Sequence, residues 1–417
     1  MAIRNMERMD QSSGQGKRPT DKTFVNRQPI YGAHVNLLAY ELLSQVRANT
    51  VDEPVDADQL RADLGTFSEV GLDHIAGGHL TFVGVSREAI LGGFCDALSK
   101  QRVVLEVLGD IVFDEQLHDS LADLAAKGYK IAIGDPGSDE GGRRLASIVD
   151  IIRVDVSNLD EAELGRQVDA LSKLSVKLLA DKVDSYDTFD LCKKLDFDYF
   201  QGYFFCTPKA PSHDIPVNRL AAVRVLTELQ DPDISIDHIE ETISHDLSLS
   251  YKLLRYSNSA YIGLNRQVES ISHAAKMIGI ARIRLWASLL MFAKMEDKPR
   301  ELMITAIVRA AMCERLAASA KAARKETFFT VSLLSVLDAL LDCPMAEAVD
   351  QLPLSNEVRD ALLEHTGPLG EALNCVLAYE RSEWAQVEFE DLASMTVRGH
   401  YLDSVGWARR ISEGLMI

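Results

Sequence analysis

Eight short apolar runs, rich in β-branched and aromatic residues, recur between about residue 23 and residue 206, and this spacing most constrains the fold. Stretches with helical periodicity separate most of the runs, and one of them ends at Gly128 after Lys127, as helices often do. Near-continuous Val, Ile and Leu runs that alternate with amphipathic helices predict a parallel sheet covered on both faces. Eight such units predict a (β/α)8-type barrel.

Two departures from this pattern refine the prediction. The first two runs, FVNRQPIY and LLAYELL, are joined by only a few residues, which is too short for a parallel crossover, so we expect them to be antiparallel and the barrel to be irregular. From residue 217 to 417 only helical periodicity remains. The fold class is therefore α/β plus all-α, with a disordered polar tail over residues 1–22, a barrel over 23–208 and a helical domain over 213–417.

Composition narrows the range of partners and compartments. The net charge of −19 argues against a protein-wide surface for nucleic acid, so we expect no nucleic-acid partner, with a local basic patch kept open as the alternative. Six scattered cysteines without a CxxC pair are typical of reduced core thiols in a cytoplasmic protein. Because no apolar run approaches the roughly 18 residues that span a bilayer, and the N-terminus lacks the apolar centre of a signal peptide, we expect a cytoplasmic protein without a membrane partner.

Polar residues follow the predicted strands at their C-terminal ends, where a parallel barrel gathers side chains at one mouth. Several carboxylates at one mouth indicate a site for Mg²⁺ or Mn²⁺, because these cations prefer oxygen ligands. Any one of these residues could be an ordinary strand terminus, but their repeated placement favours a site or a former site. The residues are Glu41, Glu106, Asp135, Arg153, Asp155, Asp181, Asp184 and Gln201.

Three segments of the first half resemble EAL domains, the bacterial cyclic-di-GMP phosphodiesterases. The segment RQPIYGAHVNLLAYELLSQ resembles their opening, LADKVDS resembles their AEGVET segment, and DFDYFQGYFF resembles their closing QGY strand. The resemblance covers roughly residues 23 to 208. It implies a hydrolase in which acidic residues and an Asn hold divalent cations that activate water for attack on a phosphodiester.

Against that family pattern, this chain keeps some site positions and changes others. It keeps Glu41, Glu106, Asp135 and Gln201. The resemblance implies that Gln45 replaces a phosphate-binding Arg, Gly84 a metal-binding Asn, Gly109 a Glu that steadies the metal-site loop, and Gly134 a metal-binding Asp. Arg153 stands for the catalytic Lys and Asp181 for the Glu of AEGVET, while Pro136 follows Asp135 in IAIGDPG.

These changes predict the loss of metal-assisted hydrolysis. Glycine offers no side-chain ligand, Arg153 cannot readily exchange a proton, and shortening Glu to Asp at position 181 retracts the carboxylate by about 1.5 Å. We therefore expect a chain that is not an enzyme and has no metal or other cofactor, with Mg²⁺ or Mn²⁺ expected only if residual activity exists. We also expect Arg153 to pair with Asp135 or Asp181, replacing positive charge that metal ions once supplied.

The second half resembles the HDOD domain, a helical signalling module. The segment from ISHDLSLS to RIRLWASLL carries the resemblance, through motif residues Asp246, Asn258, Ser259 and Gly279. The resemblance implies no metal site, and Ser335 and Val336 stand where related phosphohydrolases have a His-Asp doublet.

Three features of this half have alternative interpretations. For the adjacent pair His245 and Asp246 we favour a helix-terminus role, with Asp246 as a cap, over a metal-binding role. We expect Asn258 and Ser259 to cap or close a turn, and a ligand role is the alternative. The stripe of Trp286, Leu289, Leu290 and Phe292 is predicted to be core, with an inter-domain contact as the alternative.

Both resemblances occur together and in order, as in a family that fuses an EAL-like barrel to an HDOD domain. The leading hypothesis is a bacterial signal-transduction protein that acts through protein partners in cyclic-di-GMP-related regulation of motility, biofilm or similar behaviour. One alternative is an effector that binds cyclic-di-GMP without hydrolysis, although the lost phosphate contacts argue against binding. Another is a weak phosphodiesterase that uses Glu41, Glu106, Asp135 and Asp181. A homodimer is kept open.

Overall fold

The computed structural model describes most of the chain, and the described residues are 24–44, 71–107, 114–134, 144–209, 217–229, 234–244, 246–258, 268–292 and 298–414. The predicted N-terminal tail lies outside these residues. So do the sequence-predicted positions Gln45, Gly109, Asp135, His245 and Ser259.

Eight strands close into a barrel in sequence order. β1 is antiparallel to both of its neighbours, β2 and β8, and the remaining pairs from β2 to β8 are parallel. The predicted irregular barrel with an antiparallel first pair is therefore confirmed. The strands are β1 Val25–Gly32, β2 Leu37–Ser44, β3 Leu80–Val85, β4 Val103–Val107, β5 Lys130–Gly134, β6 Ile151–Asp155, β7 Lys177–Asp181 and β8 Tyr199–Gln201.

Helices connect the parallel strands, and their sequences contain start signals. Asp114 caps one helix by accepting from Leu117 N, and Asp160 with Glu163 forms a capping box on another. The helices described in this half are α1 Leu72–Ala76, α2 Arg87–Leu91, α3 Glu115–Ala126, α4 Glu161–Leu171 and α5 Tyr186–Lys194.

The second half is helical throughout its described residues, as predicted. Its first helices are α6 Val217–Leu229, α7 Ile236–Ser244, α8 Leu247–Ser257, α9 Ile271–Ile278 and α10 Ile280–Phe292. The later ones are α11 Arg300–Ser319, α12 Lys325–Leu334, α13 Leu337–Leu341, α14 Met345–Asp350, α15 Asn356–Leu363, α16 Gly367–Glu380 and α17 Ser394–Gly414. No helix among the described residues is long and apolar enough to cross a membrane.

The antiparallel hairpin of β1 and β2 determines how the two halves pack. A parallel crossover covers its strands with its own helix, but a hairpin turn does not. The helical half covers the outer face of this hairpin instead. Phe24 stacks on Trp384 and meets Tyr379 edge-on, and the Tyr379 hydroxyl donates to Val25 O at 2.8 Å. The two halves therefore share one continuous hydrophobic core.

Helices α6 to α10 form a lobe of their own within the helical half. They pack on one another, and α6 also packs on α13. Asp342 connects this lobe to the rest of the chain. Its carboxylate accepts hydrogen bonds from the Arg219 side chain at 2.6 Å and from the Lys209 backbone N–H at 2.8 Å, and it forms an ion pair with Lys298 at 2.7 Å. One carboxylate thus joins the end of the barrel, α6 and the segment before α11.

A layer of apolar side chains fills the barrel interior beneath the mouth. This packed layer keeps the polar residues at one end of the barrel. Its members are Ile30, Ala39, Phe82, Val104, Ala132, Ile151 and Leu179. All six cysteines are free thiols, as the sequence predicts.

Candidate functional site at the barrel mouth

Four strands bring polar side chains together at the barrel mouth. Glu41 on β2, Glu106 on β4 and Asp181 on β7 are all buried, as is Gln201 on β8. Because neighbouring strands are in fixed register, residues from distant parts of the sequence lie at one level of the barrel. The structure thus assembles the set that sequence reasoning placed at the strand ends.

Arg153 on β6 lies between three of these carboxylates. Its Nη1 is 3.1 Å from Glu41 Oε2 and donates to Glu106 Oε1, while its Nε lies 2.9 Å from Asp181 Oδ2. The predicted pairing of Arg153 with Asp181 is observed, and Asp135, the other predicted partner, lies outside the described residues.

The charge of this cluster is unbalanced. With three carboxylates ionised and one guanidinium present, two formal negative charges are in excess. Burial alone would lower the pKa of Arg153, but Glu106, Glu41 and Asp181 outweigh it and hold that pKa well above its ordinary value. Arg153 is therefore a permanent cation in the mouth, and its side chain is 20% exposed to solvent.

Gln28 completes the floor of the site, and sequence reasoning did not select it. The Gln201 side-chain amide donates to Gln28 Oε1 at 2.8 Å and to Glu41 Oε2 at 2.5 Å. The sequence prediction placed only the C-terminal ends of strands at the mouth, but β1 runs in the opposite direction, so its N-terminal part faces the mouth. The QPI segment and the predicted antiparallel pair were the signals that could have identified Gln28.

Gly202 positions Gln201. Its φ is 151°, and a Cβ at this position would lie 2.0 Å from Val183 O. The backbone of the QGY segment therefore packs directly against Val183, whose N–H donates to Gln201 O at 2.9 Å. Only glycine permits this approach, which fixes Gln201 in the mouth.

Two other predicted residues lie outside the carboxylate cluster. Asp155 pairs with Lys182 at 2.6 Å, and both side chains are about half exposed, at 46% and 57%. Asp184 is exposed. These acidic residues form part of the rim of the barrel and do not contact Arg153.

The two glycines expected to mark lost ligands lie beside the cluster. Gly84 is paired in register with Glu106, and Gly134 with Arg153. A Cβ on Gly134 would meet no atom within 4 Å, because Gly134 borders an open cavity of about 340 Å³ that Arg153 and Asp181 also line. Space therefore remains in front of the guanidinium.

The described residues do not fit the divalent cations that the family resemblance implies. Three carboxylates converge, but the guanidinium of Arg153 takes up the position between them. Within the part of the chain that the structure describes, no group of three or more His, Cys, Asp or Glu side chains could hold a metal ion.

The HDOD positions are structural in this arrangement. Asp246 accepts from Leu249 N at 3.0 Å and so caps α8, as predicted. The Asn258 side chain donates to Leu254 O and Val268 O and accepts from Val268 N, which joins the end of α8 to Val268. Gly279, with φ of 95°, separates α9 from α10.

Two further predictions in the helical half can be compared with the structure. Trp286 and Leu290 are buried, as expected for core, whereas the side chains of Leu289 and Phe292 lie outside what is described. At the position of the absent His-Asp doublet, Ser335 accepts from Arg309 at 3.1 Å and Val336 is fully buried.

Comparisons with known proteins agree with this architecture. The EAL domain model matches residues 90–208, and the HDOD domain model matches residues 215–363. The chain therefore carries an EAL domain followed by an HDOD domain.

Two relatives are similar over most of their length. "Uncharacterized protein YuxH" of Bacillus subtilis is 28% identical over 375 residues, which is 87% of this chain and 92% of that protein. "Cyclic di-GMP phosphodiesterase CdgJ" of Vibrio cholerae is 29% identical over 377 residues, which is 88% of this chain and 87% of that protein.

Two solved structures are similar to part of this chain. The EAL-domain protein YkuI of Bacillus subtilis, in complex with c-di-GMP and calcium, is 19% identical, covers 55% of this chain and 73% of its own, and has a TM-score of 0.38. Klebsiella pneumoniae BlrP1, in a calcium and cyclic-di-GMP complex, is also 19% identical, covers 46% and 57%, and has a TM-score of 0.37.

The prediction that the chain is not an enzyme is wrong, because a relative similar along nearly the whole chain carries the name of a cyclic di-GMP phosphodiesterase. The prediction counted lost family ligands at Gly84 and Gly134 and at positions outside the described residues. A count of this kind treats the family's ligand set as the only one that supports hydrolysis. It leaves out the buried residues that this chain keeps, namely Glu41, Glu106 and Gln201.

Proposed function

We propose that this chain acts in cyclic-di-GMP signalling and that its barrel mouth binds cyclic-di-GMP. Arg153 is the observation that carries the proposal. Its Nη1 and Nε are engaged, and its Nη2 has no hydrogen bond or ion pair to a described residue. A guanidinium that borders an open cavity is well suited to a phosphodiester oxygen, because its planar N–H groups form charge-assisted hydrogen bonds with phosphate.

The surrounding charge makes Arg153 indispensable for this role. The carboxylate cluster carries two formal negative charges in excess, which would repel an anionic phosphodiester. The guanidinium of Arg153 offsets this repulsion at the point of contact. Binding of cyclic-di-GMP should therefore require Arg153, and Glu41 and Asp181 should act by holding it in position.

Calorimetric titration with cyclic-di-GMP tests the proposal. The unmodified chain should bind one cyclic-di-GMP per barrel mouth, and Arg153→Ala should abolish the heat. Lys182→Ala is the matched control, because Lys182 is a rim cation that pairs only with Asp155 in the described part of the chain. The affinity of this variant for cyclic-di-GMP should stay within about twofold of that of the unmodified chain. Absence of heat at high ligand concentration would contradict the proposal.

Hydrolysis of the phosphodiester is the second candidate function, favoured by the name of CdgJ and its match over 88% of this chain. Chromatographic product analysis in buffers with Mg²⁺ or Mn²⁺ is the test. Glu41→Ala should remove product formation, because Glu41 is a buried carboxylate of the mouth, whereas Asp155→Asn on the rim should retain it. Binding without any product would contradict hydrolysis and leave the binding proposal intact.

We further propose that the helical half passes the signal to a protein partner. Tyr251 on α8 and Met277 on α9 support this, because both are large apolar side chains that remain 63% and 45% exposed. A pull-down from the native bacterium should lose its partner with Tyr251→Ser; retention of the same partner would contradict the proposal.

A homodimer, a cytoplasmic location and an output in motility or biofilm formation stay predictions. Light scattering on the purified chain tests the dimer.

A further inference from the structure

A second cavity lies at the seam between the barrel and the helical half. It has a volume of about 360 Å³ and is lined from the barrel side by Tyr31, Tyr40 and His79. Arg300, Glu301 and Arg409 line it from the helical side. It lies on the outer face of the β1–β2 hairpin, whereas the carboxylate cluster lies inside the barrel mouth.

Tyr31 gives this cavity an unused hydrogen-bonding group. Its side chain is 1% exposed, and its buried hydroxyl has no hydrogen-bond partner among the described residues. Burial, and after it the charge of Glu301, raises the pKa of Tyr31 well above its ordinary value. The hydroxyl is therefore protonated, and a buried donor of this kind costs free energy until it meets an acceptor.

The cavity also contains a cation that has no carboxylate partner in the described part of the chain. Arg27 lies 3.7 Å from Glu301, and Arg409 donates to Glu413 at 2.9 Å. Arg300 instead donates to the Ser412 hydroxyl at 2.8 Å and has no ion pair to a described residue. Of the cavity's arginines, Arg300 is thus the one whose charge a ligand could balance.

We propose that this cavity is a second binding site, for a small oxyanion whose phosphate or carboxylate group lies at Arg300 and whose other end offers an acceptor to the Tyr31 hydroxyl. The volume fits a molecule of about mononucleotide size or smaller. Such a ligand would touch both halves of the chain at once, so its binding would stabilise their contact. The site does not depend on cyclic-di-GMP binding at the mouth.

Calorimetry on the full chain with three probes, inorganic phosphate, succinate and guanosine 5′-monophosphate, tests the site. At least one probe should bind with one site per chain; phosphate or the nucleotide alone assigns the phosphate class, and succinate assigns the carboxylate class. Tyr31→Phe should weaken the binding probe about tenfold without lowering the melting temperature of the free chain, because the hydroxyl it removes has no hydrogen-bond partner among the described residues. Arg300→Gln should weaken it at least as much.

Two controls separate this site from the rest of the molecule. Tyr129→Phe removes a hydroxyl that donates to Leu98 O elsewhere in the barrel and should leave affinity unchanged. Arg153→Ala should also leave it unchanged, so loss of cyclic-di-GMP binding and loss of this site are distinguishable. The proposal would be overturned if none of the three probes gave binding heat at millimolar concentration. It would also be overturned if Tyr31→Phe and the unmodified chain bound the same probe with equal affinity.

Discussion

At the scale of single residues, Arg153 determines whether the barrel mouth is stable as well as what it binds. It contacts Glu41, Glu106 and Asp181 at once. Removing it takes one positive charge away from three converging carboxylates, and breaking a buried ion pair by removing one partner is strongly destabilising.

Arg153→Ala should therefore lower the free energy of unfolding at pH 7 by about 2–4 kcal/mol, somewhat less than for a fully buried pair because the mouth is partly open. Urea unfolding followed by circular dichroism measures this. Lys182→Ala, which breaks an exposed pair at the same rim, should cost less than about 1 kcal/mol. An equal loss of unfolding free energy in the two variants would contradict the stabilising role given to Arg153.

Two glycines of the site differ in what they tolerate. Gly202→Ala should cost about 3 kcal/mol or more and displace Gln201, because its Cβ would lie 2.0 Å from backbone Val183 O. Gly134→Ala is the matched control, since its Cβ meets open space, and its stability should change by less than about 1 kcal/mol. Thermal unfolding of both variants is the measurement, and a tolerated alanine at position 202 would contradict the packing described.

The positions of single residues could be predicted from the sequence where the strand pattern alone determines them. Alternating strands placed Glu41, Glu106, Asp181 and Gln201 at one mouth, and the excess of carboxylates predicted an ion pair with Arg153. Gln28 was missed because its strand runs the other way. The non-enzyme prediction failed because counting family ligands says nothing about what the remaining residues can do together.

At the scale of elements, the outer face of β1 depends on α16. The Tyr379 hydroxyl donates to Val25 O at 2.8 Å and accepts from Val25 N at 3.3 Å. Both backbone groups are buried, so one phenol satisfies a donor and an acceptor that would otherwise cost free energy. The helix is in this sense part of the barrel wall.

Tyr379→Phe should lower the free energy of unfolding by about 1–3 kcal/mol, because it leaves two buried backbone groups unsatisfied while keeping the ring. Guanidinium unfolding measures the loss. The control is Tyr129→Phe, which removes a hydroxyl that donates to one carbonyl, Leu98 O, at a less buried position. Its loss of unfolding free energy should be smaller. A greater loss at position 129 would contradict the role given to Tyr379.

At the scale of the whole molecule, the sequence predicted two kinds of structure but not their shared core. Helical periodicity after residue 300 identifies apolar faces without saying what they cover. The sequence did contain one signal of this contact, namely that no helix connects β1 to β2. A strand pair joined only by a turn must bury its outer face against another part of the chain. Long-range contacts such as Phe24 with Trp384 have no local signature in sequence.

Asp342 holds the α6–α10 lobe to the remainder of the chain, and its charge makes that attachment depend on pH. Burial would raise the pKa of Asp342, but hydrogen bonds from Lys298, the Lys209 backbone and Arg219 outweigh it and lower that pKa below its ordinary value. A carboxyl with a lowered folded-state pKa contributes stability above its unfolded value of about 3.9 and loses it as the pH falls through the folded value.

Asp342→Asn should therefore destabilise the lobe by about 1–3 kcal/mol at pH 7, and the difference from the unmodified chain should shrink as the pH falls from about 5 to about 3. Asn is the suitable replacement because position 342 has φ of 54°, a left-handed conformation that Asn tolerates. Hydrogen exchange read by mass spectrometry over α6 to α10 locates the effect. Asp350→Asn, which breaks a pair with Arg359 at a side chain that is 62% exposed, should leave exchange in this lobe unchanged. A difference at Asp342 that stays constant with pH would mean that geometry, and not the charge, fastens the lobe.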